Sequence, residues 1–320
     1  MTQQLLPTDP TLVPPATRSG DSRQGDQHGK VRRRPAAARG KRGAAASPAF
    51  VAGCVMLGLV LLLAAGGALL PGYDPFGQDL SAAMRKPLTD PDHLLGTDSL
   101  GRDMLSRLSL ASFVTLGIAL AVVILNAVIG TGLGMAAGYF GGRLDSAVTT
   151  LADVNLAMPV VLLLIAVAAV TGPSATLTIA TLGLTYWVGY ARVSRNLARS
   201  LRNRDFVLAP LTQGGGHGWV IRKHILPNVF SQTLIIAATD IATIILIESS
   251  LEYLGLGVQP PVPSWGSMIF EGQKYLGTNP WLAVLPGIVM FLTVAGAQFV
   301  SQRFTAEGTT GALLRKGRTA

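Results

Sequence analysis

The sequence predicts an all-α integral membrane protein with about six transmembrane helices, and three observations carry that prediction. Only 13% of the side chains are charged while 49% are hydrophobic, against about 25% charged in a soluble domain. Six apolar stretches of membrane-spanning length recur along the chain. The basic residues, finally, are sorted by side relative to those stretches.

A hydrocarbon core of about 30 Å needs roughly 20 helical residues, with about 17 to 25 tolerated. The stretches that meet this are 49–70, 114–137, 154–170, 175–191, 229–247 and 281–300. Nine of the 26 basic residues fall between Arg18 and Arg42, before the first stretch. Arg192, Arg195, Arg199, Arg202, Arg204, Arg222 and Lys223 lie between the fourth and fifth, and Arg303, Arg315, Lys316 and Arg318 follow the sixth. The opposite side carries only Arg85, Lys86, Arg102, Arg107 and Lys274 among many acids. Positive-inside bias then places both termini and the fourth-to-fifth loop in the cytoplasm.

Taken in order, residues 1–47 read as a disordered basic cytoplasmic tail. Its run KVRRRPAAARGKR suits anionic lipid headgroups. It has no aromatics or surrounding fold to make it a nucleic-acid site, and no nucleic-acid partner is expected. The first span, 48–70, is too long for a secretory signal and stays attached. It holds the single cysteine, Cys54, so no disulfide within the chain and no cysteine metal site is available.

An extracytoplasmic segment, 71–111, follows. It ends in HLLGTDSLGRDMLSRLSLAS, where Thr97 or Asp98 can cap a helix and Leu100, Met104, Leu105 and Leu108 recur at helical spacing. The expectation is an amphipathic helix along the outer face, with Asp98, Arg102 and Asp103 in exposed pairs worth about 0.2 to 0.5 kcal/mol each. Residues 112–303 then hold five further spans. Between the last two of them, Gly255 and Gly257 permit turns, three prolines keep the chain extended, and Trp265, Tyr275 and Trp281 suit a membrane–water interface.

The loop 195–228 carries the most specific signal. Arg192, Arg195, Arg199 and Arg202 share a face of a helix that leaves the membrane. Asp205 can start a short second helix, and Gly214 to Gly216 must end it. Pro227 fits the first turn of the fifth span. Within this loop, QGGGHGWVIRKHILPN could be a phosphate cradle, a metal site or a docking surface. The lysine and Ser/Thr that would complete a phosphate loop are missing, and no strand precedes it. His217 and His224 would share a helix face, yet the glycines put that helix in doubt and no carboxylate joins them. A docking surface remains. The tail 304–320 closes the chain in the cytoplasm.

These motifs resemble those of ABC-importer membrane subunits. FVLAPLTQGGGHGWVIRKHILPN is similar to the family's cytoplasmic signature, Glu-Ala-Ala, three residues, glycine, nine residues, then Ile-x-Leu-Pro. Gly214, Leu226 and Pro227 take the glycine, leucine and proline places, and His224, Pro227 and Asn228 match the His-x-x-Pro-Asn ending of the dipeptide, oligopeptide and nickel branch. HLLGTDSLGRDMLSRL, TYWVGYARVSRN and YLGLGVQPPVPSWGSMIFEGQKYL look like further motifs of that branch, so the resemblance covers about residues 93 to 300. The first span behind a basic tail suggests the C-type subunit. Leu208 stands where the signature has glutamate and Pro210 where it has its second alanine. Because proline in a helix costs about 3 kcal/mol, the short helix is expected to begin at Pro210. The end SQRFTAEG lacks the Gly-Asp-Gly-Leu-Arg-Asp-like run of the family.

The resemblance implies a type I permease fold, a second permease subunit completing a heterodimer, two cytoplasmic ATPase subunits and an extracytoplasmic solute-binding protein. It implies no catalysis, cofactor or metal in this chain itself. The implied cargo is a peptide, or a related solute such as a nickel complex. Ala209, Gly214, His224, Pro227 and Asn228 would form the ATPase-docking element. Asp153, Asp240 and Glu248 are acids in or near spans, where a mid-bilayer charge costs about 2.5 to 3.5 kcal/mol. Asp153 and Glu248 match acids in family stretches like VDILLAFP and LLEASLSFLGLG and read as interhelical hydrogen-bonding groups. Asp240 has no such counterpart, and a contact with substrate or the partner subunit is expected of it. The alternative function is a secondary transporter or channel without ATPases. Internal repeats, frequent in such proteins, are not visible in this sequence.

Overall fold

A computed structural model describes residues 48–316, with side chains through 303, all within the unit Ala46–Ala320. The basic tail expected at 1–47 lies outside the described residues. The described residues form ten α-helices joined by short 3₁₀ and π turns.

Helix α1, Pro48–Leu69, coincides with the first expected span. Helix α2, Met104–Phe140, starts well before the expected residue 114. The expected amphipathic helix on the outer face does not exist as a separate element. Gly101 takes a left-handed conformation (φ +73), and its N–H closes a turn onto the Asp98 carbonyl at 3.1 Å, which stops any helix started at Thr97 or Asp98. Asp103 caps instead, its Oδ2 accepting from the Ser106 N–H at 2.7 Å. Met104 and Leu108 become buried core in the first turns of α2.

The third expected span, 154–170, is broken. Helix α3, Gly142–Ala157, stops at Met158, and α4, Val160–Thr171, leaves at an angle of 81°. Pro159 is the cause: it has no N–H to continue the ladder and holds the residue before it in extended conformation, as Met158 shows (φ −98, ψ 123). The fourth expected span is the first part of α5, Ala175–Arg202, whose 28 residues reach about 42 Å at 1.5 Å per residue. Among the described residues, four helical runs are long and apolar enough to cross a membrane: Pro48–Leu69, Met104–Phe140, His217–Tyr253 and Trp281–Arg303. The bent α3–α4 pair would make a fifth. Helix α5 is not among them, because its threonines and arginines give it one strongly polar face.

Helices α2 and α5 form the most extensive pair in the bundle, and three glycines explain how. Gly130, Gly134 and Gly138 stand four apart and so share a face of α2. A Cβ on Gly134 would sit 2.7 Å from the Ala191 Cα, one on Gly130 2.6 Å from the Tyr190 Cβ, and one on Gly138 3.0 Å from the Arg195 Cα. Backbone therefore lies on backbone, the small-residue packing that membrane helices use in place of a hydrophobic driving force. Helix α1 meets α10, Trp281–Lys316, in the same manner through Gly53 and Gly296.

Two more helices close the end of the bundle where α2 begins. Helix α8, Leu226–Tyr253, packs on α2 and α10, and α9, Trp265–Gly272, seals against both α8 and α10. Trp265, expected at a membrane interface, is fully buried. An indole can be buried when its N–H finds an acceptor, and Trp265 Nε1 donates to Ser112 Oγ at 3.2 Å while its backbone N–H reaches Thr115 Oγ1 at 3.3 Å.

Candidate functional site

The loop after α5 folds into α6, Asp205–Thr212, and α7, His217–Val220, and a π turn over Ile221–Ile225 leads into α8. Helix α6 does not begin at Pro210, as the cost of a helical proline suggested. It begins at Asp205, whose carboxylate suits the positive end of the helix, and Pro210 lies inside it. The helix is only eight residues long, so the proline forfeits a single ladder bond.

The end of α6 explains Gly214. The Gly215 N–H bonds back to the Pro210 carbonyl at 2.8 Å and the Gly214 N–H to the Leu211 carbonyl at 3.2 Å. Gly214 itself has φ +87. This pair of bonds with a left-handed residue is the Schellman arrangement, which glycine enters without the Cβ penalty. Downstream, the helix between His217 and His224 does form, contrary to the expectation raised by the glycines. The widened π turn sits just before Pro227, where a regular helix would force the proline ring against the carbonyl four residues back. Asn228 Nδ2 adds a bond to the His224 carbonyl at 2.7 Å. The two histidines have separate partners: His217 Nδ1 lies 2.8 Å from the Tyr139 hydroxyl, while the His224 ring packs edge-on to Trp219 at 5.3 Å.

The inner side of this loop is anchored. Val207 of α6, Val220 of α7, Ile225 of the π turn and Val229 of α8 are fully buried together with Tyr139 at the end of α2 and Ala198 of α5. Each such side chain contributes roughly 1.5 to 3 kcal/mol by burial, so α6 is fastened to the ends of three long helices at once. Its outer side is apolar and open: Phe206, Leu208 and Trp219 are 40%, 43% and 49% exposed. Ala209, Gly214, Pro227 and Asn228 lie exposed along the same loop, and His224 is half-buried between Trp219 and Phe206.

The three acids expected in or near spans occupy unlike surroundings. Asp153 on α3 pairs with Arg192 on α5 at 3.2 Å, both well exposed, beside a cleft of about 180 Å³ that also involves Arg195 and Asn196. Deeper along the same two helices Arg195 grips Asp145 through Nε and through Nη2, the latter at 2.7 Å. Glu248 on α8 is fully buried, with Glu252 one turn further along the same helix for a neighbour. Glu252 reaches toward the start of α9, where a Cβ on Gly266 would come within 2.8 Å of its Oε2. Asp240 is half-exposed midway along α8, beside Tyr186 and Tyr190 of α5.

A further charged group is buried where exposed pairs were expected. Asp98, Arg102 and Arg107 are only 5%, 7% and 2% exposed. Arg102 Nε meets Asp98 Oδ2 at 2.6 Å, Arg107 Nη1 meets the same oxygen, and both guanidinium groups reach Glu271 of α9, at 3.3 and 3.0 Å. Burial pushes the Asp98 carboxyl upward, but Arg107, Arg102 and two backbone N–H groups outweigh it and hold the acid below its ordinary range. Spacing alone pairs Asp98 with Arg102. Arg107 and Glu271 join only because α9 folds over the start of α2.

A multi-helix bundle with several helices long and apolar enough to cross a bilayer is built as a multi-pass membrane protein. Residues 130–305 match the family described as binding-protein-dependent transport system inner membrane component, and the chain belongs to that family. It is 36% identical over 246 residues to the nickel transport system permease protein NikC of Escherichia coli, covering 77% of this chain and 88% of that one. Against the oligopeptide transport system permease protein OppC of Haemophilus influenzae the identity is 30% over 255 residues, 79% of this chain and 81% of the relative. The dipeptide transport system permease protein DppC of Alkalihalophilus pseudofirmus gives 30% over 250 residues, 78% and 82%. The chain is thus a multi-pass permease component of a binding-protein-dependent transport system in the inner membrane.

Proposed function

We propose that this chain is the C-type member of a heterodimeric membrane core in an ATP-driven importer. It takes peptides, or a related small solute such as a nickel complex, from an extracytoplasmic binding protein into the cytoplasm. Two separate cytoplasmic subunits hydrolyse ATP. In this reading α5 is also a span, the fourth of six, its polar face turned away from lipid, and both termini and α6 are cytoplasmic, in keeping with the sorted basic residues.

The observation that carries the reading is the two-sidedness of α6. Its inner side is fixed to α2, α5 and α8 through one buried cluster, while its outer side offers Phe206 and Leu208 as an apolar knob. Leu208, where the family signature has glutamate, calls for a less polar groove on the ATPase. A ligand shifts an equilibrium only by its differential binding to two states. An ATPase pair that holds α6 differently when closed on ATP would therefore bias the tilt of the three attached helices.

Co-purification of this chain with candidate ATPase subunits from the same organism tests the reading. Leu208→Asp changes an exposed side chain, and such substitutions usually alter stability by under about 0.5 kcal/mol. It should reduce ATPase recovery at least tenfold while the second membrane subunit is still retained. Undiminished ATPase recovery from Leu208→Asp and Phe206→Asp chains, or labelling of α6 from the outer surface, would overturn it.

A further inference from the structure

Asp240 is the fifteenth of the 28 residues of α8, in the middle of a membrane-spanning helix. Asp153 has Arg192 and Glu248 is sealed in the fold beside Glu252, but Asp240 has neither kind of shelter. It is half-exposed, and among the described residues its polar neighbours are the hydroxyls of Tyr190 and Tyr186 rather than any basic side chain. Tyr190 is fully buried and its hydroxyl has no hydrogen-bond partner of standard geometry. A donor is therefore stored next to the carboxylate.

A face of α8 near Asp240 carries four polar side chains, with Ile236 and Leu246 at its flanks. At 100° per residue, Gln232, Thr239, Thr243 and Ser250 fall within about 40° of one line along α8. Gln232, Thr243 and Ser250 are exposed and Thr239 half-buried. Asp240 lies about 80° round the helix from that line, beside Tyr190 of α5. Lipid is an unsuitable neighbour for such a stripe, and a carboxylate facing hydrocarbon at that depth would cost about 2.5 to 3.5 kcal/mol. Water and a passing solute are suitable ones.

Resting on the permease reading above, we propose that Asp240, steadied by the Tyr190 hydroxyl, is the point on the translocation path that accepts the positively charged group of the solute. The carboxylate supplies the countercharge. The buried Tyr190 hydroxyl, which has no other hydrogen-bond partner among the described residues, is the donor available to one of the carboxylate's lone pairs. The cation is either an ammonium group or a metal ion, and both bind such a carboxylate by the same charge complementarity.

The assembled importer with its binding protein, reconstituted in proteoliposomes, separates these sources. ATP-driven uptake of dialanine and of Ni²⁺ is measured in parallel with ATP hydrolysis. Asp240→Asn should lower cargo moved per ATP at least tenfold for the cargo that uses the site, with ATP hydrolysis and assembly unchanged. Asp240→Glu should restore most of the loss, and Tyr190→Phe, which removes only the hydroxyl, should give a loss of a few-fold. Unchanged uptake per ATP in Asp240→Asn would overturn the proposal. So would a fall in hydrolysis parallel to uptake, or loss of the second membrane subunit, which would mark Asp240 as the partner of a basic residue there. If the unsubstituted complex moves neither cargo, the substrate assignment fails and this inference with it, a result visible before any substitution is made.

Discussion

Gly134→Ala adds one methyl group at the tightest line of contact in the bundle. The new carbon would stand 2.7 Å from the Ala191 Cα and nearer still to the Ala191 carbonyl oxygen. Carbon atoms settle at about 3.5 to 4.0 Å, so α2 and α5 must separate by roughly 0.8 Å. Both sides of the contact are backbone, and no rotamer change can relieve it. Overpacking of this kind costs about 1 to 3 kcal/mol. At the middle of that range the folded-to-unfolded ratio falls by about 30-fold. The same methyl on Gly132, also in α2, meets nothing within 4 Å. There it should be neutral or stabilising by up to about 1 kcal/mol, since alanine suits a helix better than glycine. Thermal unfolding of the detergent-solubilised chain, followed by size exclusion after heating, compares the two directly. The double change Gly130→Ala with Gly138→Ala should cost less than the sum of its parts, because one outward shift of α5 makes room for both. If Gly134→Ala and Gly132→Ala melted alike, backbone contact between α2 and α5 would be refuted.

Two other outcomes follow from the ends of the bundle. Gly214→Ala must carry a side chain at φ +87, a conformation that costs an ordinary residue about 1 to 2 kcal/mol. There is open space around the position, so the fold should survive while α6 loosens, visible as faster hydrogen exchange at Gly214 and Gly215. At the other end, the folded chain holds the Asp98 carboxyl below its ordinary value. Its contribution to stability is therefore complete above the unfolded value, about pH 3.9, and is lost as pH falls through the lower folded value. The melting temperature should show an acid-side drop that Asp98→Asn removes, at the expense of lower stability near neutrality. An unchanged acid limb in Asp98→Asn would count against the buried network.

The ridge of Gly130, Gly134 and Gly138 was open to reading: glycines four apart in an apolar stretch are a packing signal, though they do not name the helix they meet. The break at Pro159 is not legible in that way: 154–170 is expected as one span, and a proline does not by itself halt a helix, since Pro210 lies inside α6 and Pro286 inside α10. Arg107 and Glu271 offered no such signal. They are 164 positions apart, and nothing local in either segment points to the other. The same holds for Trp265, whose place at an interface or in the core depends on whether Ser112 and Thr115 are there to satisfy its N–H groups.

What the sequence alone determined are the properties set within a turn or two of helix. These are the apolar stretches, the sorting of basic residues, the end of α6 at glycine, and the family motifs. What only the tertiary structure decided is which charges are buried together, which wall Asp240 shares with Tyr190, and that α6 is fastened inside and open outside. The reason is physical. Capping, helical period and hydropathy act between near neighbours, whereas burial and ion pairing depend on which distant surfaces the packing of the bundle brings into contact.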